Sequence, residues 1–379
     1  MKGKMMRANK KIKRTGLAVV LLAALCGCNS VEIDTGGTTD PMGGATGIPL
    51  SVNMNFSGAT IATKSVYDKV GDGAGQLGAV GVLVAAKNSS GEFVAYTTKE
   101  EDSYKQYNIN IVDTDTTWKA ADQIYLNNNN GAVYAWAPVA GDNALSSTPV
   151  IATDKLTATG VTVVAAQTFD VVSQSACSQT DYLYATKSAT DAAQQTVNKT
   201  DFKANLFMHH ALAKVSFKIM KGKNDPAPDE NDYVKQIELT SKSSRFLTAS
   251  GGTMQLTNGT LEGTSTVAKL TMSAVAGKAA QAVKYADNYD GITAQAYGLV
   301  APLPSADNDL SVKVTLGSND AKTEKDRSYQ TKNDDEVTFQ WEKGKEYTYT
   351  INISDVALEI VSVKIVDFGT GGTTNLPVQ

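Results

Sequence analysis

Three cysteines and two histidines are the scarcest reactive side chains of this 379-residue chain, and their spacing narrows what they can do. Cys26 and Cys28 close an apolar stretch in Leu25-Cys26-Gly27-Cys28-Asn29-Ser30. A bacterial lipobox wants an aliphatic residue three positions before its cysteine and a small one just before it. Cys28 meets both demands through Leu25 and Gly27, whereas Leu25 stands where Cys26 would need a small residue. Lipidation of the Cys28 thiol is the chemistry expected; a plain signal peptide with two incidental cysteines is the competing reading. Cys177 is then left without a partner, so no disulfide framework is available and a packed core must hold the fold. His209 and His210 are adjacent. On a strand they face opposite sides and cannot chelate one metal from one side, and no Cys or carboxylate cluster stands beside them. One packed and one exposed histidine is the expectation. No nucleophile-elbow pattern supports a Ser-His-Asp arrangement, so no catalytic residue is assigned and a hydrolase is disfavoured.

Three further patterns yield to plainer explanations. Gly73-Ala74-Gly75-Gln76-Leu77-Gly78 matches a dinucleotide fingerprint on paper, but a strand follows where a helix N-terminus would have to meet the pyrophosphate. Asp113-Thr114-Asp115 and the loop Asp225–Asp232 could offer oxygen ligands to calcium. The first lacks the spacing and glycine of an EF-hand loop, Pro226 and Pro228 interrupt the second, and solvated turns account for both. Trp118, Trp136 and Trp341 could form a sugar-stacking platform, although Trp341 is in phase with Val337 and Phe339 and so reads as core. No cofactor and no metal site is expected.

The elements that would position any site are strands. Ile48, Leu50, Val52, Met54 and Phe56 alternate with polar residues, the period of a half-buried strand, with Pro49 tolerable at its start. Ala79–Ala86 is almost wholly apolar, as for a strand covered on both faces. Short runs follow at Phe93–Tyr96, Ile124–Leu126, Ala132–Trp136, Val161–Ala165 and Tyr182–Tyr184, then at Ala211–Ile219, Val234–Leu239, Ala294–Val300 and Leu310–Leu316. Val337–Trp341 and Tyr347–Ile353, joined by a turn containing Gly344, read as a hairpin. The last long strand is Leu358–Phe368, with a Gly/Thr stretch and a short tail at Leu376–Val378 behind it. Ala189–Val197 and Val275–Val283 are the best helical segments. Many short strands with Gly- and Asn-rich turns predict an all-β sandwich architecture with few short helices.

Compartment and partners follow from the N-terminus and the charge. Seven basic residues between Lys2 and Arg14, with no acidic one, precede an apolar run from Leu17 to Leu25 that is too short to span a bilayer. Removing those seven charges takes the net from −4 to −11. With no other basic run, nucleic-acid binding is excluded as a reading. Residues 1–27 thus read as a lipoprotein signal peptide and 28–47 as a Gly/Thr-rich tether. A sandwich from 48 to 206 and a second from 207 to 379 follow.

Between Cys28 and Lys64 there is no Lys or Arg. Lys64 lies eight residues beyond Phe56, so a trypsin-like protease cutting between Lys64 and Ser65 would release lipid, tether and the strand bearing Ile48, Leu50, Val52, Met54 and Phe56 together. The sandwich left behind would show an apolar groove and unpaired backbone groups, to be filled by a strand from another subunit. A turn that merely begins at Lys64 is the plainer alternative.

The order and spacing of several segments resemble the fimbrillin family of Bacteroidales fimbrial subunits. They are the lipobox at Cys28, Asp181-Tyr182-Leu183-Tyr184-Ala185, Phe207-Met208-His209-His210-Ala211-Leu212-Ala213-Lys214-Val215, Trp341-Glu342-Lys343-Gly344-Lys345-Glu346-Tyr347-Thr348-Tyr349, and the final Val/Ile-rich strand. The resemblance implies two tandem transthyretin-like β-sandwich domains and export as a lipoprotein to the outer membrane surface. It also implies cleavage after Arg or Lys beyond the first strand, where Lys64 is the matching position, and polymerisation by exchange with a neighbour's C-terminal segment. The candidate donor residues are Leu358, Ile360, Val361, Val363, Ile365, Val366, Phe368, Leu376 and Val378. The implied partners are copies of itself, other fimbrial subunits, a processing protease and, before cleavage, the outer membrane. A non-polymerising surface lipoprotein that binds glycan or host protein is the alternative.

Overall fold

Alternating apolar residues and abundant Val, Thr and Tyr favour pleated strands over helices, and the chain folds accordingly. The computed structural model describes residues 47–56, 67, 69–71, 76–112, 115–170, 175–176, 178–222, 232–275, 283, 291–318, 327–331, 337–354, 358–367 and 374–376. Among these residues the fold is all-β, with a 3-10 turn at Glu100–Asp102.

The first sheet has nine strands: short ones at Phe93–Ala95 and Gln195–Val197, and seven along its main path, β1 (Ser51–Phe56), β2 (Ala79–Lys87), β3 (Tyr104–Val112), β4 (Asp115–Lys119), β5 (Gly131–Ala137), β6 (Leu183–Thr186) and β7 (Lys203–His210). Their spatial order is β1-β7-β6-β5-β2-β3-β4. Every neighbouring pair is antiparallel except β1 and β7, which run parallel. Central β2 is buried on both faces, as its unbroken apolar run predicts. Gly81 sits opposite Trp136 of β5, and a Cβ there would lie 2.2 Å from the indole, so only glycine admits the ring.

The second half supplies β8 (Ala213–Lys221), β9 (Asp232–Ser241), β10 (Ala296–Val300), β11 (Leu303–Ser318), β12 (Val337–Trp341), β13 (Lys345–Ile353), β14 (Leu358–Asp367) and β15 (Thr374–Leu376). One sheet has the order β10-β8-β13-β14-β15, with β8 and β13 parallel. Another joins β9 to β11 and β11 to β12. The apolar side chains gather in two clusters. The smaller draws only on residues between Leu50 and Met208; the larger includes Trp136, Phe217, Trp341 and Tyr349.

Two expectations are corrected. Val337–Trp341 and Lys345–Ile353 are both strands, but they do not form a hairpin: β12 pairs with β11, and β13 with β8 and β14. The chain turns through Gly344, at φ +70°, and enters a different sheet. The aromatic residues explain the choice. The indole N–H of Trp341 donates to the Tyr349 hydroxyl at 2.8 Å, and Phe339 lies 4.7 Å from the Tyr349 ring, so the two strands meet through buried side chains rather than backbone. Ala189–Val197 is a bend followed by a strand at Gln195–Val197, not a helix. The Ser188 hydroxyl accepts the Asp191 N–H and the Asp191 carboxylate accepts the Ala193 N–H, capturing the backbone donors a helix would need. Val275 and Val283 are not helical, and the residues between them lie outside those described.

Candidate functional site

The smaller cluster is closed by β1, and the local sequence shows why. Leu50, Val52 and Met54 are buried while Ser51 and Asn53 are exposed, the alternation realised residue by residue. Burying an aliphatic or methionine side chain contributes roughly 1.5–3 kcal/mol. Among the described residues β1 ends its sheet, and its ladder runs only to β7, in register from Ser51 opposite Lys203 to Phe56 opposite Met208. The Leu50 N–H donates to the Ile124 carbonyl at 2.8 Å and the Ser51 N–H to that of Phe202 at 2.9 Å. Just before β1, Ile48 and Pro49 pair with Leu126 and Tyr125. Leu50, Val52 and Met54 share one apolar cluster with Ala204, Leu206 and Met208 of the adjoining β7 and with Tyr107, Trp118 and Ile124. Burial pushes the Tyr107 phenol up to about 12. The arrangement is a sheet whose terminal strand adds three side chains to a core.

The other site residues are distributed unequally. Leu50, Val52 and Met54 share that core, with Phe56 packed half-buried at its edge and Ile48 half-buried in its own short pairing. Leu358, Ile360, Val361, Val363, Ile365 and Val366 form β14 in a different sheet, Leu358 and Ile360 buried and the others half-buried. Leu376 lies in β15 opposite Val363. Cys28, Lys64, Ser65, Phe368 and Val378 lie outside the described residues, as do Cys177, residues 72–75 and most of the two acidic loops.

The histidines separate as expected for neighbours on a strand. His210 is buried and its Nδ1–H donates to the Asp181 carboxylate at 2.8 Å, while half-buried His209 meets the Thr186 hydroxyl at 2.7 Å and stacks on Tyr184. Burial lowers the His209 pKa, reinforced by the charges of His210 and Lys343. All three tryptophans are buried, so they form no sugar platform. Among the described residues no group of three His, Cys, Asp or Glu side chains could hold a metal.

Sequence reasoning missed one cluster. Asp181, fully buried just before β6, accepts through Oδ2 both the His210 Nδ1–H and, at 3.3 Å, the backbone N–H of Tyr67. Its Oδ1 has no partner among the described residues. The Tyr67 phenol is raised by burial and then by the Asp181 charge. The signal was present in the motifs containing Asp181 and His210, but nothing in the sequence joins either residue to Tyr67.

Fold and site define an all-β sandwich protein with a core-filling terminal strand. The chain belongs to the fimbrillin-like family, whose model matches residues 79–367, a family of fimbrial structural and adhesion proteins rather than enzymes. Its setting is the cell surface or fimbria. A fimbrial protein structure from Bacteroides vulgatus is similar at 13% identity and TM-score 0.49, over 84% of this chain and 99% of that one. A candidate cell adhesion protein from Bacteroides ovatus gives 15% and 0.49 over 86% and 99%, and another from Bacteroides uniformis 15% and 0.45 over 84% and 98%. No curated protein sequence matches this chain.

Proposed function

We propose that the chain is a structural subunit of surface fimbriae that supports adhesion and assembles by strand exchange. It is exported as an outer-membrane lipoprotein through Cys28, cut between Lys64 and Ser65, and stripped of β1. The single observation that carries this is β1 itself, a strand whose Leu50, Val52 and Met54 fill a core and whose ladder, among the described residues, runs only to β7. Once it leaves, the outer backbone edge of β7 is unpaired and Leu206, Met208 and Trp118 face water, a surface that captures an alternating apolar strand. The C-terminal segment, from Leu358 through Leu376 and Val378, is the proposed donor to a neighbour. In this reading 48–206 and 207–379 are two domains, with the larger cluster joining them, since it packs Trp136 and Phe169 with Phe217 and Trp341.

Trypsin treatment of the purified precursor tests the function. The expected result is a new N-terminus at Ser65 together with a ladder of oligomers; clean cleavage that leaves monomer would sink it. A second reading, a glycan-binding surface lipoprotein, draws on an open groove of ≈ 210 Å³ lined by Phe93, Lys87, Asn130 and Thr196. It requires residues 29–64 to remain in the protein recovered from cells.

A further inference from the structure

The proposed cut raises a question of specificity. Lys64–Ser65 and Lys69–Val70 are both bonds that follow a lysine, five residues apart, so residue type alone gives a trypsin-like protease no reason to stop at the first. A protease takes several residues around its target bond as an open, unpaired strand. Around Lys69–Val70 the backbone is engaged instead. Lys69 and Val70 pair in parallel with Gln76 and Leu77, and the Gly71 N–H donates to the Leu77 carbonyl at 3.2 Å. A pairing this short is marginal by itself. The stronger tie lies just upstream, where the Tyr67 N–H donates to Asp181 Oδ2 at 3.3 Å. Asp181 is fully buried; Oδ2 also accepts the His210 Nδ1–H, and Oδ1 has no partner among the described residues. Lifting Tyr67 away would strip a donor from a carboxylate that solvent does not reach, which is costly because hydrogen bonds to a buried charge are the strong ones.

We propose that Asp181, oriented by His210, sets the limit of processing: by clamping the Tyr67 backbone it closes the Lys69–Val70 bond to the protease, so that trimming stops at Lys64. The inference rests on the processing step above. Hydrolysis at either bond adds one water, leaving a carboxylate on the lysine and an amine on the residue after it. The two cuts differ in what they carry off. Tyr67 and Val70 pack against the smaller core, the one that β1 vacates. A cut at Lys69 would take Tyr67 from that core together with β1, whereas a cut at Lys64 leaves it in place beside the acceptor. Asp181 and His210 are thus positioning residues for the processing step. They touch neither the protease nor the bond that is cut, and act by holding the chain that follows it.

The test digests the full precursor with trypsin and follows the new N-termini by mass spectrometry over time. Each rate is divided by that of the same bond in a synthetic peptide of residues 60–74, which removes the protease's own sequence preference. In the wild type the Val70 terminus should form at least about tenfold more slowly than the Ser65 terminus on that scale, because its bond is cut only from a rare open state. Asp181→Ala should speed Val70 formation about tenfold while cutting at Lys214, buried in β8, stays unchanged. Because Asp181→Ala could fail to fold, Tyr67→Pro and Tyr67→Ala repeat the test: both lose the ring, but only proline loses the N–H. Tyr67→Pro should release Val70 about tenfold faster than Tyr67→Ala does. Equal rates for the two bonds in the wild type, equal rates in the two Tyr67 variants, or a rise at Lys214 matching that at Lys69 would each overturn the proposal while leaving processing intact. A wild type left uncut at Lys64 would overturn the processing step instead, and the two Tyr67 variants would still decide the clamp.

Discussion

The two ends of the described chain both finish a sheet, yet they are tied down very differently. β1 pairs along six residues with β7 and buries Leu50, Val52 and Met54 in a core. β15 pairs along three residues with β14, opposite Val363–Ile365, where β14 is itself only half-buried. The difference teaches a division of labour. Losing the first edge would open a core, whereas the second edge rests on the half-buried stretch Val363–Ile365. In the proposed function this asymmetry gives the subunit an acceptor at one end and a donor segment at the other, as a directional polymer needs.

The largest expected effect tests the depth of the acceptor. Met54→Ala and Leu206→Ala should each destabilise the uncut precursor by about 2–5 kcal/mol in urea denaturation. After cleavage and loss of β1 the two should part company: the Met54→Ala penalty vanishes because that residue has left, and the Leu206→Ala penalty persists. Equal penalties in the cut protein would mean β1 stays bound, and the contrast between the two ends would collapse.

A smaller effect probes the other end. Deleting residues 374–379 should change monomer stability by no more than about 0.5 kcal/mol, as for a surface change, while abolishing the oligomer ladder after trypsin. Loss of several kcal/mol instead would show the C-terminal edge to be as integral as β1.

The smallest effect concerns His209, which lies on β7 itself but outside the smaller core cluster. Its folded pKa lies below the ordinary 6.5 because burial disfavours the imidazolium. The unfolded chain therefore binds more protons between that lowered value and 6.5, so this contribution is fully present above pH 6.5 and is lost as pH falls through the window. His209→Gln should flatten the slope of stability against pH there, measured by urea midpoints in parallel buffers. An unchanged slope would place the titration elsewhere.

Much of the fold was legible because alternation is a local property. Ile48–Phe56, Ala79–Ala86 and Ala132–Trp136 become strands with the expected faces buried, since each residue's choice between core and water is set by its own side chain. Pairing was not legible. The turn at Gly344 looked like a hairpin, but Trp341 and Tyr349 gain more by meeting inside the larger core than their backbones would by pairing. Ala189–Val197 looked helical because its alanines have high propensity, while Ser188 and Asp191 quietly took the backbone donors.

The sequence by itself determined the strand content, the alternating first strand and the resemblance that family membership bears out. Those are matters of residue type and near neighbours. Only the tertiary structure decided that β1 is a parallel sheet edge on β7, that β12 and β13 part into different sheets, and that Asp181 meets Tyr67. These depend on contacts between residues more than a hundred positions apart in two of the three cases, and long-range partners are chosen by how faces pack, which no local pattern encodes.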